Sequence, residues 1–163
     1  MPATMAYLDR PESAKDFPAK ARLKLAPGPA AFDSFDGFIR SLPFLSGPEA
    51  CALIVTGDEI LDNLLTHGEV GASGVNILVR KRAAGLTLGF FVQSHPEFAA
   101  FSSCLEAEHP LGPYFDEGER RWHGIGLSMC RNIASSICYR PGSLFDRVLL
   151  TFKPGFRPGR SAP

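Results

Sequence analysis

The chain has 163 residues, 45% of them apolar, which is the size of one domain built around a single sizeable core. Seventeen basic and seventeen acidic side chains cancel, so the bulk charge gives no reason to expect nucleic acid or an anionic membrane as a direct partner. No apolar run approaches the roughly 20 residues that span a bilayer, and the N-terminus lacks a basic start followed by an apolar stretch, so a soluble, cytoplasmic protein is expected.

Residues 1–17 and 154–163 are rich in Pro, Gly, Ser and charge and read as poorly ordered tails around one domain at 18–153. Residues 22–25 read as a short edge strand, ended by the turn-forming Pro27-Gly28-Pro29. Phe32, Phe35, Phe38, Ile39 and Leu42 recur at helical spacing, and Ser41-Leu42-Pro43 closes that helix. Ser46 as N-cap and Pro48 in the first turn open a long helix that ends at Gly68.

Residues 75–82 and 86–92 have strand composition and are joined by the tight Ala83-Ala84-Gly85 turn, which predicts an antiparallel hairpin. Residues 94–122 show little periodicity and carry Pro96, Pro110 and Pro113, the pattern of a lid or binding loop. A second long helix is predicted over 127–138 and a closing strand over 147–152. The apolar arcs of the helices need one common surface. The expected fold is therefore a two-layer α/β sandwich, a mixed, largely antiparallel sheet covered on one face by the helices at 32–42, 48–67 and 127–138. Cys51, Cys104, Cys130 and Cys138 form no C-x-x-C pair, and the histidines lack ligand spacing, so the cysteines read as free thiols rather than a zinc site.

Two segments carry candidate chemistry. In the second helix Leu53, Ile60, Leu61, Leu64 and Leu65 share one apolar arc, while Glu59, Asn63 and His67 follow one another at every fourth residue along its edge. That stripe is either a polar helix surface or a set of groups aimed at a ligand beside the core. Between Glu49 and Gly68 the helix has no Lys or Arg, which a purely solvated face would carry more readily. The second segment, WHGIGLSMCRN at 122–132, places Gly124 and Gly126 just before a helical pattern. Glycines there either start a helix as a simple turn or let backbone N–H groups and the helix dipole seat a phosphate.

Taken in this order, EILDNLLTHG and HGIGLSMCRNIA resemble the N-box and the glycine box of the GHKL superfamily, the ATP-binding domain of gyrase, heat-shock chaperones, sensor histidine kinases and mismatch-repair proteins. Within it the chain most resembles the anti-sigma-factor serine kinases of bacterial partner-switching systems. The resemblance covers about residues 22–153 and implies a Bergerat-type fold with ATP and Mg²⁺ as ligands. It implies that Asn63 helps hold Mg²⁺ and that Glu59, one turn earlier on the same face, is the base for the attacking hydroxyl. His67 would lie near the nucleotide, Gly124, Ile125, Gly126 and Leu127 would supply backbone contacts to the phosphates, and residues 94–122 would be the ATP lid.

The family carries D-x-G-x-G after the hairpin, where its aspartate accepts a hydrogen bond from adenine. Here residues 91–98 read FVQSHPEF, with neither aspartate nor glycine, and Gln93 or Ser94 stands nearest the aspartate position. Trp122 replaces the first glycine of the second box. Two functions follow from the resemblance and this departure. One is a Mg-ATP-dependent serine kinase acting on a small antagonist protein. The other is a nucleotide-free, kinase-like module that sequesters a sigma factor or an anti-anti-sigma antagonist. A homodimer is expected by resemblance only.

Overall fold

The structure is a computed structural model and describes residues 7–8, 19–67, 70–94, 114–118, 121–123 and 125–154. The first strand, β1 (Tyr7–Leu8), is two residues long and pairs with Arg22 and Ala21 inside the segment read from sequence as a tail. It runs beside β2 (Ala19–Leu25), where Ala21, Leu23 and Leu25 point inward and alternate with Lys20, Arg22 and Lys24. That period of two is what a sheet with one buried face imposes.

Helix α1 (Ala31–Arg40) buries Ala31, Phe35, Phe38 and Ile39. Helix α2 (Gly47–His67) begins with a capping box: the Ser46 N–H donates to Glu49 Oε2 at 2.7 Å, and the Glu49 N–H donates back to Ser46 Oγ at 3.4 Å. Lys81 then ties this helix start to the sheet by donating to Glu49 Oε2 at 2.7 Å and to the Phe44 carbonyl at 2.9 Å. Burial alone would raise the Glu49 carboxyl, but the bonds from Lys81 and Ser46 outweigh it and hold the group below its ordinary value.

Strands β3 (Val75–Arg82) and β4 (Gly85–Gln93) form the predicted hairpin, with Arg82 opposite Gly85. Gly85 adopts φ 138°, a region closed to other residues without strain. Two short strands, β5 (Tyr114–Asp116) and β6 (Arg121–His123), pair with each other in the segment that showed no strand pattern in sequence. After them come α3 (Ile125–Ile133), β7 (Ser136–Arg140) and β8 (Phe145–Phe152).

In space the main sheet runs β1-β2-β3-β4-β8-β7, and every described pairing is antiparallel. The sheet is the largely antiparallel one expected, and the two helices that join β2 to β3 return the chain to the end it left. The expected helix over 127–138 is also shorter. It stops at Ile133 because the Ser135 N–H goes to the Thr151 carbonyl at 2.7 Å, and Ile137 and Tyr139, strand formers, continue as β7 against Leu150 and Val148. The three helices cover one face of the sheet as expected, α1 over the β2 side, α2 in the middle and α3 on the β7 side. Leu53, Ile60, Leu61 and Leu64 of α2 are fully buried against Ile77, Leu88, Phe90 and Leu150 of the sheet. Among the described residues no helix is long and apolar enough to cross a membrane.

Candidate functional site

The stripe on α2 lies at the margin of its buried arc, as its spacing predicts. Glu59 and Asn63 are half-buried, and Asn63 Nδ2 donates to the Glu59 carbonyl at 2.7 Å and to Glu59 Oε1 at 3.0 Å. This amide is held in one orientation. With both bonds made through nitrogen, Asn63 Oδ1 is the atom left to accept or to ligate. His67 is the last residue of α2 and is described in its backbone alone.

Helix α3 starts against this pair. A β-carbon placed on Gly126 would fall within the Glu59 carboxylate, so glycine is what lets the first turn of α3 come so close to α2. The structure thus brings together two motifs that are more than 60 residues apart in sequence. Glu59 is placed at the positive end of α3, where a carboxylate is favoured. Gly126 and Leu127 are half-buried, Ile125 is described in its backbone alone, and Gly124 lies outside the described residues. One turn further, Cys130 is buried with its Sγ 3.6 Å from the Thr56 carbonyl. Burial, with the charge of Glu59, pushes its thiol up to about 12, so Cys130 is a neutral packing group and no nucleophile.

At the other end of β4 the two residues proposed near a base separate. Gln93 is exposed on the outward row of the strand, and its Oε1 accepts from Ser73 Oγ at 2.6 Å. Ser94 turns the other way. Its Oγ donates to Asp146 Oδ1 at 3.0 Å, and the same oxygen accepts from the Gly142 N–H at 3.0 Å. Ser94 Oγ also lies 2.8 Å from the Gly142 carbonyl.

Asp146 was missed in the sequence reading. It is 3% exposed on β8, opposite Val92, on the same inward-facing row as Val148, Leu150 and Phe152. Tyr139 also bonds to it: burial, the Asp146 charge and this hydrogen bond push the phenol up to about 12. A signal was present, because an acid at the inward phase of an alternating strand is a buried charge in need of partners. A strand expected over 147–152 starts one residue past it.

The ATP-lid assignment for 94–122 falls mostly outside the described residues, which include Ser94, β5, β6 and the exposed Glu117 and Gly118 between them. Trp122 pairs through its backbone with Phe115. Among the described residues no three His, Cys, Asp or Glu side chains converge as a metal cage. No protein-family model and no curated protein matches this chain.

Proposed function

We propose that the chain is an ATP-binding regulator of the anti-sigma-factor serine kinase type, with its nucleotide site along the seam of α2 and α3. The observation that carries this reading is the Glu59–Asn63 pair held against Gly126 at the first turn of α3. A merely solvated stripe would have no need of a glycine on a second helix. The residues fit the ligands in kind: Mg²⁺ on a triphosphate takes most of its oxygens from phosphate and water and needs one or two from protein, which Asn63 Oδ1 can supply. Mg-ATP as substrate brings the transferable γ-phosphoryl group and the charge neutralisation its transfer requires.

The chain's own groups then have distinct tasks. Asn63, fixed through Nδ2, presents its oxygen to the cation. Glu59 takes the proton of the acceptor serine hydroxyl as the new O–P bond forms and ADP leaves with the electrons of the broken one. The first turn of α3, as a helix N-terminus, favours phosphate. The absent adenine-binding aspartate has a neighbour in kind: Asp146 stands across from the end of β4 and is joined to Ser94, which gives this end of the sheet a buried carboxylate from β8. Its protein partner would be a sigma factor or an antagonist protein carrying the acceptor serine.

Replacing Glu59 by Gln tests the division of labour. The variant is expected to keep Mg-ATP binding within a few-fold and to lose at least about a hundredfold of ATP turnover, the scale of a general-base contribution. Equal turnover in the two proteins would remove Glu59 from the chemistry.

A further inference from the structure

The zero net charge of the chain conceals two opposed faces. Helix α2 carries Glu49, Asp58, Glu59 and Asp62 and no Lys or Arg, whereas the face of the sheet turned away from the helices is basic. Its outward positions include Lys20, Arg22 and Lys24 of β2, Arg80 of β3, Arg140 of β7 and Arg147 of β8. No acidic side chain occupies an outward position on β2, β3, β4, β7 or β8, and none of these six cations pairs with a carboxylate among the described residues.

The register sets these charges around aromatic rings. One row across the sheet reads Lys24, Asn76, Phe91, Arg147, Arg140. Phe145 lies two residues before Arg147 on β8, opposite Gln93, and is therefore the diagonal neighbour of Phe91 on the same face, about 7–8 Å away by strand geometry. The Phe91 ring folds back over Gly89, and a β-carbon there would stand 3.1 Å from it. Phe145 is 46% exposed. Both rings, with Arg22, Lys24 and Asn76, line an open cavity of about 410 Å³.

We infer that this face binds single-stranded RNA. Two phenylalanine rings at diagonal spacing on the adjacent strands β4 and β8 form a stacking platform for successive bases. The Asn76 amide beside them can donate to and accept from a base edge. The surrounding cations, mostly arginine, match phosphates in two-point geometry. On another row of the same face Thr87 offers a hydroxyl partner for the 2′-OH that DNA lacks, beside Thr151 and Ser136, whose hydroxyls bond each other at 2.6 Å. An acidic protein surface would satisfy the cations, but it gives no account of the two outward rings, Phe145 exposed and Phe91 half-buried, that line the cavity. A second copy of the chain meeting this face with its own sheet would oppose like charges. This inference is independent of whether the α2–α3 seam binds nucleotide.

The test is fluorescence anisotropy with a labelled 12-residue oligouridylate, alongside oligothymidylate of the same length and polyglutamate of matched charge. The full chain is compared with Phe145→Ala, Arg147→Gln and, on the helix layer, Arg40→Gln. Phe145→Ala removes an exposed ring, and its thermal transition is expected to be unchanged while its RNA affinity falls roughly tenfold. Arg147→Gln is expected to lower the slope of log affinity against log salt by about 0.7, the share of one phosphate on a single strand. Arg40→Gln is expected to change neither. Absence of RNA binding at about 50 mM salt overturns the inference, as does an unaltered affinity in Phe145→Ala. Tighter binding of oligothymidylate overturns the choice of RNA, and polyglutamate binding as tightly as oligouridylate assigns the face to an acidic protein instead.

Discussion

The Glu59 carboxylate occupies the space where Gly126 would carry a β-carbon, so a close approach of α2 to α3 is also the point where the two candidate motifs meet. Gly126→Ala is accordingly expected to push the helices apart and cost about 1–3 kcal/mol, the usual range for forcing a group into a packed contact. In a Glu59→Ala background the same alanine is expected to cost much less. A double-mutant cycle by chemical denaturation measures that coupling, and strict additivity would mean that the two residues do not share the space.

Gly57 answers the same question at the α1–α2 contact. A β-carbon there would overlap the Phe35 ring and lie 3.3 Å from Leu88, in a core where Phe35 also packs on Phe90 with ring centroids 6.1 Å apart. Gly57→Ala is expected to gain helix propensity of about 1 kcal/mol and lose more than that to overpacking. A lowered midpoint in urea checks the sign, and a raised one would show that Phe35 yields easily.

Asp36 and Asp58 face each other between α1 and α2, each with an Oδ1 that is buried and finds no hydrogen-bond partner among the described residues. Burial first, and then the Asp36 charge, raise Asp58 to about 6, while Arg40 bonds the other Asp36 oxygen at 3.2 Å. A carboxyl whose folded pKa exceeds its unfolded one binds more protons when folded, so stability falls as pH rises from about 4 to about 6. Asp58→Asn is expected to raise stability at pH 7 by about 1 kcal/mol, allowing for solvent screening, and to flatten that dependence. Denaturation midpoints between pH 4 and 7 read both effects.

Asp146 gathers the Ser94 hydroxyl, the Gly142 N–H and Tyr139 around one buried carboxylate. Asp146→Ala leaves these donors without their acceptor and is expected to cost about 3–5 kcal/mol, whereas Asp146→Asn keeps the shape and part of the bonding and costs less. A fluorescence titration of tyrosine against pH supplies a second readout. The raised ionisation of Tyr139, about 12 in the intact chain, is expected to fall in either variant.

What the sequence made legible was local. The apolar arc of α2 and the polar stripe on its edge follow from a period of 3.6, and the β3–β4 hairpin from two strand-forming runs around Ala83-Ala84-Gly85. The end of α3 was not legible, because the bond from Ser135 to Thr151 that stops it comes from a strand 16 residues later. The place of β8 between β4 and β7 is also a long-range fact, and with it came the position of Asp146 beside Ser94. The same order of strands gathers Lys24, Arg147 and Arg140 into one row, which a charge count over the whole chain averages to zero.

Calorimetric titration of the full chain with ATP and ADP, with and without Mg²⁺, tests the proposal that the α2–α3 seam is a metal-nucleotide site. Mg²⁺-dependent binding is expected, abolished in Asn63→Ala while the thermal transition of the variant stays close to that of the parent. No heat up to millimolar nucleotide, or binding that Asn63→Ala leaves intact, would contradict it and leave Glu59, Asn63 and Gly126 as a packing device between two helices.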